Sequence, residues 1–253
     1  MRDAFARTIY ELAKQDERIV MLVADISPAG AMEEFRREFP DRFYNVGVAE
    51  ATMIGMAAGL AQRGFRPFCY TIATFALFRC YEQIRCDLAY QNLPVTIVGM
   101  GAGLSYPTLG GTHQAIEDVA VAMVCPNLTV LAPCDPAETE ACVRWCMSRK
   151  SDGPVYLRLG KAGEPALTAS VPPWQFGELR WLRRGRGNIA QRSLTCVLSY
   201  GPIAAEAVRV AETLDADMAL VPTLMPAPVG LAVLADDYGR VVVVEEASGA
   251  PLA

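Results

Sequence analysis

Short apolar runs that alternate with amphipathic segments constrain the fold of this chain more than any other feature. Residues 19–25 read Ile-Val-Met-Leu-Val-Ala-Asp, and residues 94–100 read Pro-Val-Thr-Ile-Val-Gly-Met. Runs this short and continuously apolar are typical of strands buried on both faces, as in parallel sheets. Further strands are predicted at 65–71, 128–132, 154–159, 194–198, 218–221 and 240–245, and helices at 3–15, 50–62, 75–90, 117–123, 136–150, 202–214 and 229–236. This alternation predicts an α/β fold with a mainly parallel sheet.

Residues 162–192 interrupt the alternation and divide the chain. They are rich in proline and glycine and contain the basic run 180–186, a composition typical of a linker. The basic run is interpreted as a solvated loop, with a binding patch as the alternative. We predict one domain over 1–165, a linker over 166–192 with one strand near 177–182, and a second, smaller α/β domain over 193–253.

Composition excludes several classes of protein. The chain of 253 residues is 52% hydrophobic and 20% charged, which is typical of a globular protein with a large core and not of a disordered one. Its net charge of −5, without a basic tail, argues against nucleic-acid binding. The first residues are amphipathic and no apolar stretch reaches the roughly 18 residues of a membrane span, so the expected location is cytoplasmic.

Eight cysteines are scattered along the chain without a Cys-x-x-Cys motif. In a chain without a secretory signal they are expected to be free thiols, most of them small core residues. His113 is the single histidine, and no cluster has the spacing of metal ligands. We therefore predict no metal ion held by this chain itself.

Five segments contain the candidate catalytic and binding residues. They are Asn45-Val-Gly-Val-Ala-Glu50, Phe75-Ala-Leu-Phe-Arg-Cys-Tyr-Glu-Gln-Ile-Arg85, Leu104-Ser-Tyr-Pro-Thr-Leu-Gly-Gly-Thr-His-Gln-Ala-Ile-Glu-Asp118, Cys125-Pro-Asn-Leu-Thr-Val and Pro154-Val-Tyr-Leu-Arg-Leu-Gly-Lys161. In this order and spacing they resemble the C-terminal half of transketolases and 1-deoxyxylulose-5-phosphate synthases. The most similar members are bacterial split transketolases, in which the pyrimidine-binding half is a separate polypeptide. The resemblance covers residues 1–165 strongly and 190–250 weakly.

The resemblance implies a parallel-sheet pyrimidine-binding domain for thiamine diphosphate, followed by a shortened α/β transketolase C-terminal domain. Catalysis in this family requires loss of the proton at C2 of the thiazolium ring. A buried glutamate hydrogen-bonded to N1′ of the aminopyrimidine promotes that loss, and the matching residue here is Glu50. A carboxyl group in an apolar pocket has a raised pKa and shares a proton readily. Without the resemblance, Glu50 is interpreted as an exposed charge at a helix N-terminus.

Three further residues match positions that contact the cofactor in the family. Phe75 and Phe78 lie where aromatic rings stack on the pyrimidine, although their spacing also suits ordinary core residues. Asp25 resembles an aspartate that faces the thiazolium ring across a subunit interface, and the alternative is a carboxylate that caps a strand end.

Four residues match positions that contact substrate. His113, in a Gly-Gly-Thr-His-Gln loop, corresponds to a histidine that reaches the donor's carbonyl or hydroxyl oxygen and exchanges protons near neutral pH. Arg79 resembles a substrate-phosphate contact in the synthases, and Arg158 with Lys161 resembles a sugar-phosphate clamp. The alternatives are a structural histidine and exposed or salt-bridged cations.

Two departures from the family pattern concern the substrate and the second domain. Single-chain transketolases carry an acidic residue four positions before the histidine, where this chain has Leu109. This leaves the donor sugar open. The segment after Glu246 is shorter than in the family, so the C-terminal domain is expected to be truncated.

The family binds the diphosphate and Mg²⁺ through a Gly-Asp-Gly segment on the other half, and this chain contains no Gly-Asp-Gly. The resemblance therefore implies an obligate diphosphate-binding partner subunit that supplies the Mg²⁺ ligands, in an α₂β₂ assembly.

Three functions remain open at this stage. The first is one component of a two-component transketolase that moves a two-carbon ketol unit from a ketose phosphate to an aldose. The second is the beta subunit of a thiamine-diphosphate-dependent 2-oxo acid dehydrogenase. The third is a non-catalytic scaffold, which the short C-terminal domain suggests and the joint presence of Glu50, Phe75 and His113 opposes.

Overall fold

A computed structural model describes residues 1–26, 30–149, 153–168, 173–184, 194–249 and 252. The helices are α1 Arg2–Ala13, α2 Ala31–Glu38, α3 Glu50–Gln62, α4 Ala73–Leu77, α5 Tyr81–Gln83, α6 Asp118–Met123, α7 Pro136–Ser148, α8 Ala204–Thr213 and α9 Leu234–Asp237. The strands are β1 Ile19–Val23, β2 Phe43–Asn45, β3 Arg66–Ile72, β4 Thr96–Met100, β5 Thr129–Leu131, β6 Val155–Leu159, β7 Arg180–Arg183, β8 Thr195–Ser199, β9 Asp217–Leu220, β10 Thr223–Met225 and β11 Arg240–Val244. Shorter turns are 3₁₀-helical at Pro40–Arg42 and Gly110–Thr112 and π-helical at Ile84–Ala89.

Within the described residues the strands form two sheets. The first has the order β10-β5-β6-β4-β3-β1-β2, and all its neighbours are parallel except β10, which runs antiparallel to β5. The second has the order β11-β8-β9-β7, with β7 antiparallel. The predicted α/β class with a mainly parallel sheet and a second, smaller α/β unit is confirmed.

Helices cover both faces of the first sheet, because its central strands are apolar at nearly every position. β1, β4 and β6 are buried along their whole length. On one face, α1, α2 and α7 pack through side chains such as Phe5, Phe35 and Val143. On the other face, α3, α4 and α6 pack through Met53, Leu77 and others, and this core continues into the second sheet.

The structure differs from the predicted elements in three ways. The helix predicted over 75–90 is broken, because Cys80 leaves helical geometry (φ −122°, ψ 25°) between α4 and α5. α2, β2 and β10 were not predicted, and β10 returns from the second unit to the edge of the first sheet. The basic run 180–186 does not begin as a solvated loop: Arg180 is buried in β7, which lies where a strand near 177–182 is predicted and pairs with β9.

The domain boundaries at 165 and 192 stay a prediction, and residues 185 and 186 of the basic run lie outside the described residues.

Candidate functional site

The predicted site residues gather at the carboxyl ends of the parallel strands, where ligands bind in open α/β sheets. Asp25 follows β1, and Glu50 follows β2 after a short turn. Phe75 lies in α4, directly after β3, and the loop with His113 follows β4. Lys161 comes two residues after β6. Five different strands therefore deliver these side chains to the same edge of the sheet.

A turn fixed by Asn45 leads from β2 into α3. The Asn45 side-chain oxygen accepts hydrogen bonds from Gly47 N–H at 3.0 Å and from Asp25 N–H at 3.1 Å. Gly47 has φ +71°, a left-handed conformation that glycine adopts without strain. α3 begins three residues later at Glu50. Asn45 therefore couples the ends of β1 and β2 and sets the position at which Glu50 enters the site.

The Glu50 carboxylate is buried and is held by one arginine. The side chain is 2% exposed, although it stands at a helix N-terminus. Nη1 of Arg79 lies 3.0 and 2.9 Å from the two carboxylate oxygens, and the Arg79 side chain is 46% exposed. Burial, and after it the negative charge of Glu50, raises the pKa of the Cys80 thiol to about 12. The site therefore combines an inward-facing carboxylate with a cation that opens to solvent.

The ring of Phe75 lies between Arg79 and His113. The Arg79 guanidinium stands over the ring, 4.4 Å from its centroid, in a cation–π contact. The His113 ring meets Phe75 edge-on, with centroids 5.1 Å apart and an interplanar angle of 71°. Phe75 is half-buried, and the Arg79 guanidinium that stands over its ring also holds the Glu50 carboxylate.

His113 is held by its own loop and by α4. Thr112 Oγ1 lies 2.8 Å from His113 Nδ1, and Thr74 Oγ1 donates to the Thr112 carbonyl oxygen at 2.9 Å. The Tyr106 ring packs edge-on against the imidazole at 5.8 Å between centroids. Burial raises the pKa of the Tyr106 hydroxyl. These contacts leave His113 half-buried at the mouth of the site.

Lys161 joins the group through Tyr106. Its ammonium nitrogen lies 4.5 Å from the centroid of the Tyr106 ring, and its side chain is exposed. A continuous series of contacts therefore runs from Glu50 through Arg79, Phe75, His113 and Tyr106 to Lys161. The series begins at a buried anion, Glu50, and contains two exposed cations, Arg79 beside it and Lys161 at the far end.

Two predicted residues lie at the margin of this series. Phe78 is 38% exposed, next to Arg79 along the chain. Asp25 is exposed at the end of β1 and is linked to the site through Asn45. It has φ +47°, and the residues 27–29 that follow it lie outside the described part of the chain.

The position of Arg158 corrects the prediction of a sugar-phosphate clamp. The side chain is 1% exposed, and its Nε donates to Asp118 Oδ2 at 2.9 Å. Its Nη2 donates to the Ala115 carbonyl oxygen at 3.2 Å, and Tyr156 donates its hydroxyl proton to the same Asp118 oxygen. β6 is buried on both faces, so the guanidinium points into the core and cannot reach a phosphate from there. Lys161, beyond the strand end, is accessible.

Sequence reasoning assigned no role to Asn45, Thr74 or Tyr106. Asn45 and Tyr106 lie within the quoted motifs, and Thr74 precedes Phe75, so the signal was present. What the sequence lacked was the spatial partner of each residue.

The described residues contain no group of three or more His, Cys, Asp or Glu side chains that could hold a metal ion. In the same part of the chain, no helix combines the length and the apolar character needed to cross a membrane.

The site does present the partners that an aromatic nitrogen base requires. These are a buried carboxylate that accepts hydrogen bonds and a partly accessible ring that can stack. The Arg79 guanidinium, planar and cationic, already uses both, which shows that the position accepts a flat, hydrogen-bonding, positively charged group. An aminopyrimidine, as in thiamine diphosphate, offers the same set of contacts.

Comparisons with known proteins agree with this geometry. Residues 1–163 match the family described as "Transketolase, pyrimidine binding domain". The chain is 36% identical over 214 residues to the 6-deoxy-6-sulfo-D-fructose transketolase subunit SqwH of Clostridium sp., covering 85% of this chain and 64% of that protein. It is 35% identical to a transketolase family protein of Sinorhizobium fredii, covering 96% of this chain and 69% of the relative. The chain thus spans about two thirds of the length of these relatives.

Among solved structures, one titled "Split gene transketolase, inactive beta4 tetramer" superposes with a TM-score of 0.82 at 33% identity, covering 96% of this chain and 78% of its own. The Campylobacter jejuni transketolase superposes with a TM-score of 0.79 at 20% identity, covering 99% of this chain and 40% of its own, and shares the fold. Strand order, site geometry and these matches lead to one assignment: the chain belongs to the transketolase family, carries its pyrimidine-binding domain, and is related to the subunits of split transketolases.

Proposed function

We propose that this chain is the pyrimidine-binding subunit of a two-component, thiamine-diphosphate-dependent transketolase. In this proposal the assembled enzyme moves a two-carbon ketol unit from a ketose or ketose phosphate to an aldose. The observation that carries the proposal is the Glu50 carboxylate, 2% exposed, which is connected through Arg79 to the half-buried Phe75 ring. A surface carboxylate at a helix N-terminus would be solvated; this one is turned inward at the edge of the sheet where ligands bind.

Glu50 and Phe75 would hold the aminopyrimidine ring of the cofactor. Bound thiamine diphosphate supplies the nucleophilic carbon that takes up the two-carbon unit. The buried Glu50 carboxylate would share a proton with N1′ of the ring. Phe75 would fix the plane of the ring by stacking. Arg79 would have to leave the carboxylate for the ring to bind there, and its solvent exposure gives it room to do so.

His113 and the two exposed cations would act on the substrate. The imidazole packs edge-on against Phe75 and can donate a proton to, or accept one from, an oxygen of the donor. Lys161 and the displaced Arg79 flank this position with positive charge, which suits a phosphate or another anionic group. Phe78 and Asp25 stay proposed cofactor contacts, with Asp25 directed toward the thiazolium ring from across the interface.

A second polypeptide is part of the proposal. The chain has no Gly-Asp-Gly segment, and its described residues offer no cluster of metal ligands. The diphosphate and its Mg²⁺ would therefore be held by a diphosphate-binding subunit, in an α₂β₂ assembly. Two relatives support this, because the sulfofructose transketolase of Clostridium sp. and the apulose-4-phosphate transketolase of Phocaeicola vulgatus are both named as subunits. The structural neighbour is titled an inactive β4 tetramer, which is consistent with a chain that requires a partner for activity.

The test is a reconstitution. The chain is combined with a diphosphate-binding subunit, thiamine diphosphate and Mg²⁺, and ketol transfer is assayed with sugar-phosphate donors. Glu50→Gln is expected to lower kcat by at least about 100-fold, the range typical of a lost proton-transfer group. Glu17→Gln, an exposed glutamate before β1, is the matched control and is expected to leave kcat unchanged.

Either of two results would contradict the proposal. Full activity of the Glu50→Gln complex would remove the residue from catalysis. Cofactor binding without transfer from any sugar donor, together with turnover of a 2-oxo acid, would move the chain to the dehydrogenase class.

A further inference from the structure

The segment after β11 packs against the loop that carries His113. Glu246 Oε1 accepts a hydrogen bond from Leu104 N–H at 3.1 Å. Two residues later, Ser248 N–H donates to the Ile116 carbonyl oxygen at 2.6 Å. Leu104 and Ile116 lie near opposite ends of the loop. The segment that leaves the second sheet therefore contacts the His113 loop at both ends.

Gly103 provides the space in which the Glu246 carboxylate lies. A Cβ atom at Gly103 would stand 2.0 Å from Glu246 Oε2, a distance that no side chain could occupy. Gly103 has φ +62°, which also favours glycine. It forms a two-way backbone bridge with Ala115, with N–O distances of 2.9 and 3.0 Å. Ala115 is two residues after His113, so the carboxylate contacts the bridge that closes the loop.

We propose that Glu246 is a positioning residue that fixes the His113 loop. The inference rests on the proposed function, because only there does His113 contact substrate. A hydrogen bond from an N–H group to a carboxylate is about twice as strong as a neutral one, which suits a contact that must hold a loop of thirteen residues between Leu104 and Ile116. Phe75, Tyr106 and Thr112 contact the ring of His113 and orient it. Glu246 fixes the backbone of the loop that contains His113.

Because the chain has a single histidine, the accessibility of the His113 loop can be measured without cofactor or partner subunit. Diethyl pyrocarbonate modifies imidazole, so in the tag-free chain its reaction at histidine reports on His113 alone. Hydrogen exchange of the Leu104 amide reports on the Glu246 contact. In Glu246→Ala both rates are expected to rise about tenfold, because the loop opens more often. Glu246→Gln keeps an oxygen that can accept from Leu104 N–H, and it is expected to stay within about threefold of the wild type. Glu212→Ala, an exposed glutamate at the end of α8, is the matched control.

Gly103→Ala removes the same contact, because the added methyl group displaces the Glu246 carboxylate, and it also strains the backbone at φ +62°. Its rates are therefore expected to be at least as fast as those of Glu246→Ala. The double variant is expected to match Gly103→Ala, since the Glu246 contact is already lost in it.

Turnover in the reconstituted complex then connects the loop to the reaction. Glu246→Ala is expected to raise KM for the donor up to about twofold and to change kcat less, because substrate binds only to the fraction of molecules whose loop is closed. A purely structural role would lower the amount of folded enzyme and leave KM unchanged.

The outcomes separate this inference from the proposed function. Wild-type His113 reactivity and Leu104 exchange in Glu246→Ala would overturn the inference, whatever the activity. Faster reactivity and exchange with unchanged kinetics would uphold the loop contact and remove His113 from the reaction. If the wild-type complex has no transketolase activity at all, the two rates in the isolated chain still decide whether Glu246 holds the loop.

Discussion

Two ion pairs of this chain share a buried carboxylate and differ in their arginine. Asp118 and Glu50 are both at most 2% exposed. Arg158, the partner of Asp118, is as buried as its carboxylate, whereas Arg79, the partner of Glu50, is 46% exposed. A buried pair is fixed by the packing on all sides. A carboxylate paired with an exposed cation can exchange that cation for a ligand, because the arginine regains its hydration when it leaves.

The pair Glu138–Arg180 belongs to the fixed kind. Its N–O distance is 3.0 Å, the arginine is 9% exposed, and Glu138 also accepts a hydrogen bond from Cys134 N–H. It connects α7 to β7 and so holds the two sheets together. Among these three pairs, each with a buried carboxylate, the arginine is buried in the two that stabilise the fold and exposed in the one that lies in the candidate site.

The largest expected effect is on the fixed pair. Arg158→Met is expected to lower the free energy of unfolding by about 3–5 kcal/mol, because it leaves the Asp118 carboxylate buried without its charge partner. Urea denaturation measures the change. Arg144→Met, which breaks the exposed pair with Glu140, is the control and is expected to cost less than about 1 kcal/mol. A small effect of Arg158→Met would show that this arginine can turn outward, which would restore it as a phosphate ligand.

The next largest effect is expected at Asp135, a buried carboxylate whose partners among the described residues are hydrogen-bond donors and not an arginine. Asp135 accepts hydrogen bonds from the N–H groups of Glu138, Leu167 and Thr168 and from the Thr168 hydroxyl. Burial acts to raise the pKa of the Asp135 carboxyl, but these four donors together lower it below its ordinary value. Asp135→Asn is expected to lower the free energy of unfolding at neutral pH by about 2–3 kcal/mol, since the amide group faces donors it cannot satisfy.

The pH dependence of this effect has a definite sign. A folded-state pKa below the unfolded value of about 3.9 stabilises the protein above that value, and the stabilisation is lost as pH falls through the folded pKa. The difference between wild type and Asp135→Asn is therefore expected to be constant above about pH 5 and to shrink below about pH 4. A difference that grows on acidification would mean that the pKa is raised.

The sequence was sufficient to predict the central strands of the first sheet. β1, β4 and β6 are apolar at nearly every position, and a run of this kind has few alternatives to a buried strand. β2 and β10 were not predicted, because neither lies in a continuous apolar run: β2 reads Phe-Tyr-Asn after Asp41-Arg42, and β10 stands between Pro222 and Pro226. The helix over 75–90 was predicted as continuous, since the geometry of Cys80 depends on what packs around it.

The candidate site was predictable as a set of residues and not as a set of contacts. Glu50, Phe75 and His113 stand in motifs that identify them without a structure. The pairing of Glu50 with Arg79 joins residues 29 positions apart, and that of Arg158 with Asp118 joins residues 40 apart. Local pattern carries no information about such pairs. For that reason the sequence treated Arg79 and Arg158 alike, and the fold separates them.

The exposed pair gives the smallest change in stability and the most specific prediction. Arg79→Met is expected to lower the free energy of unfolding by about 1–2 kcal/mol, less than Arg158→Met, because the space left by the exposed guanidinium opens to solvent and water can hydrate the Glu50 carboxylate there. In the reconstituted complex the same change is expected to tighten the binding of thiamine diphosphate several-fold, since the aminopyrimidine no longer competes with a resident cation for Glu50. Isothermal titration of the complex measures the affinity, and Arg85→Met, an exposed arginine in the π-helical turn, is the control.

Arg79 is also a proposed phosphate contact, and the two roles have opposite signatures. Loss of the competition improves cofactor affinity, whereas loss of a phosphate contact raises KM for a phosphorylated donor and leaves cofactor affinity unchanged. Weaker binding of the cofactor to Arg79→Met would show that the arginine supports the ring instead of giving way to it. In that case Arg79 would be a fixed member of the site, and exposure alone would not distinguish a displaceable partner from a structural one.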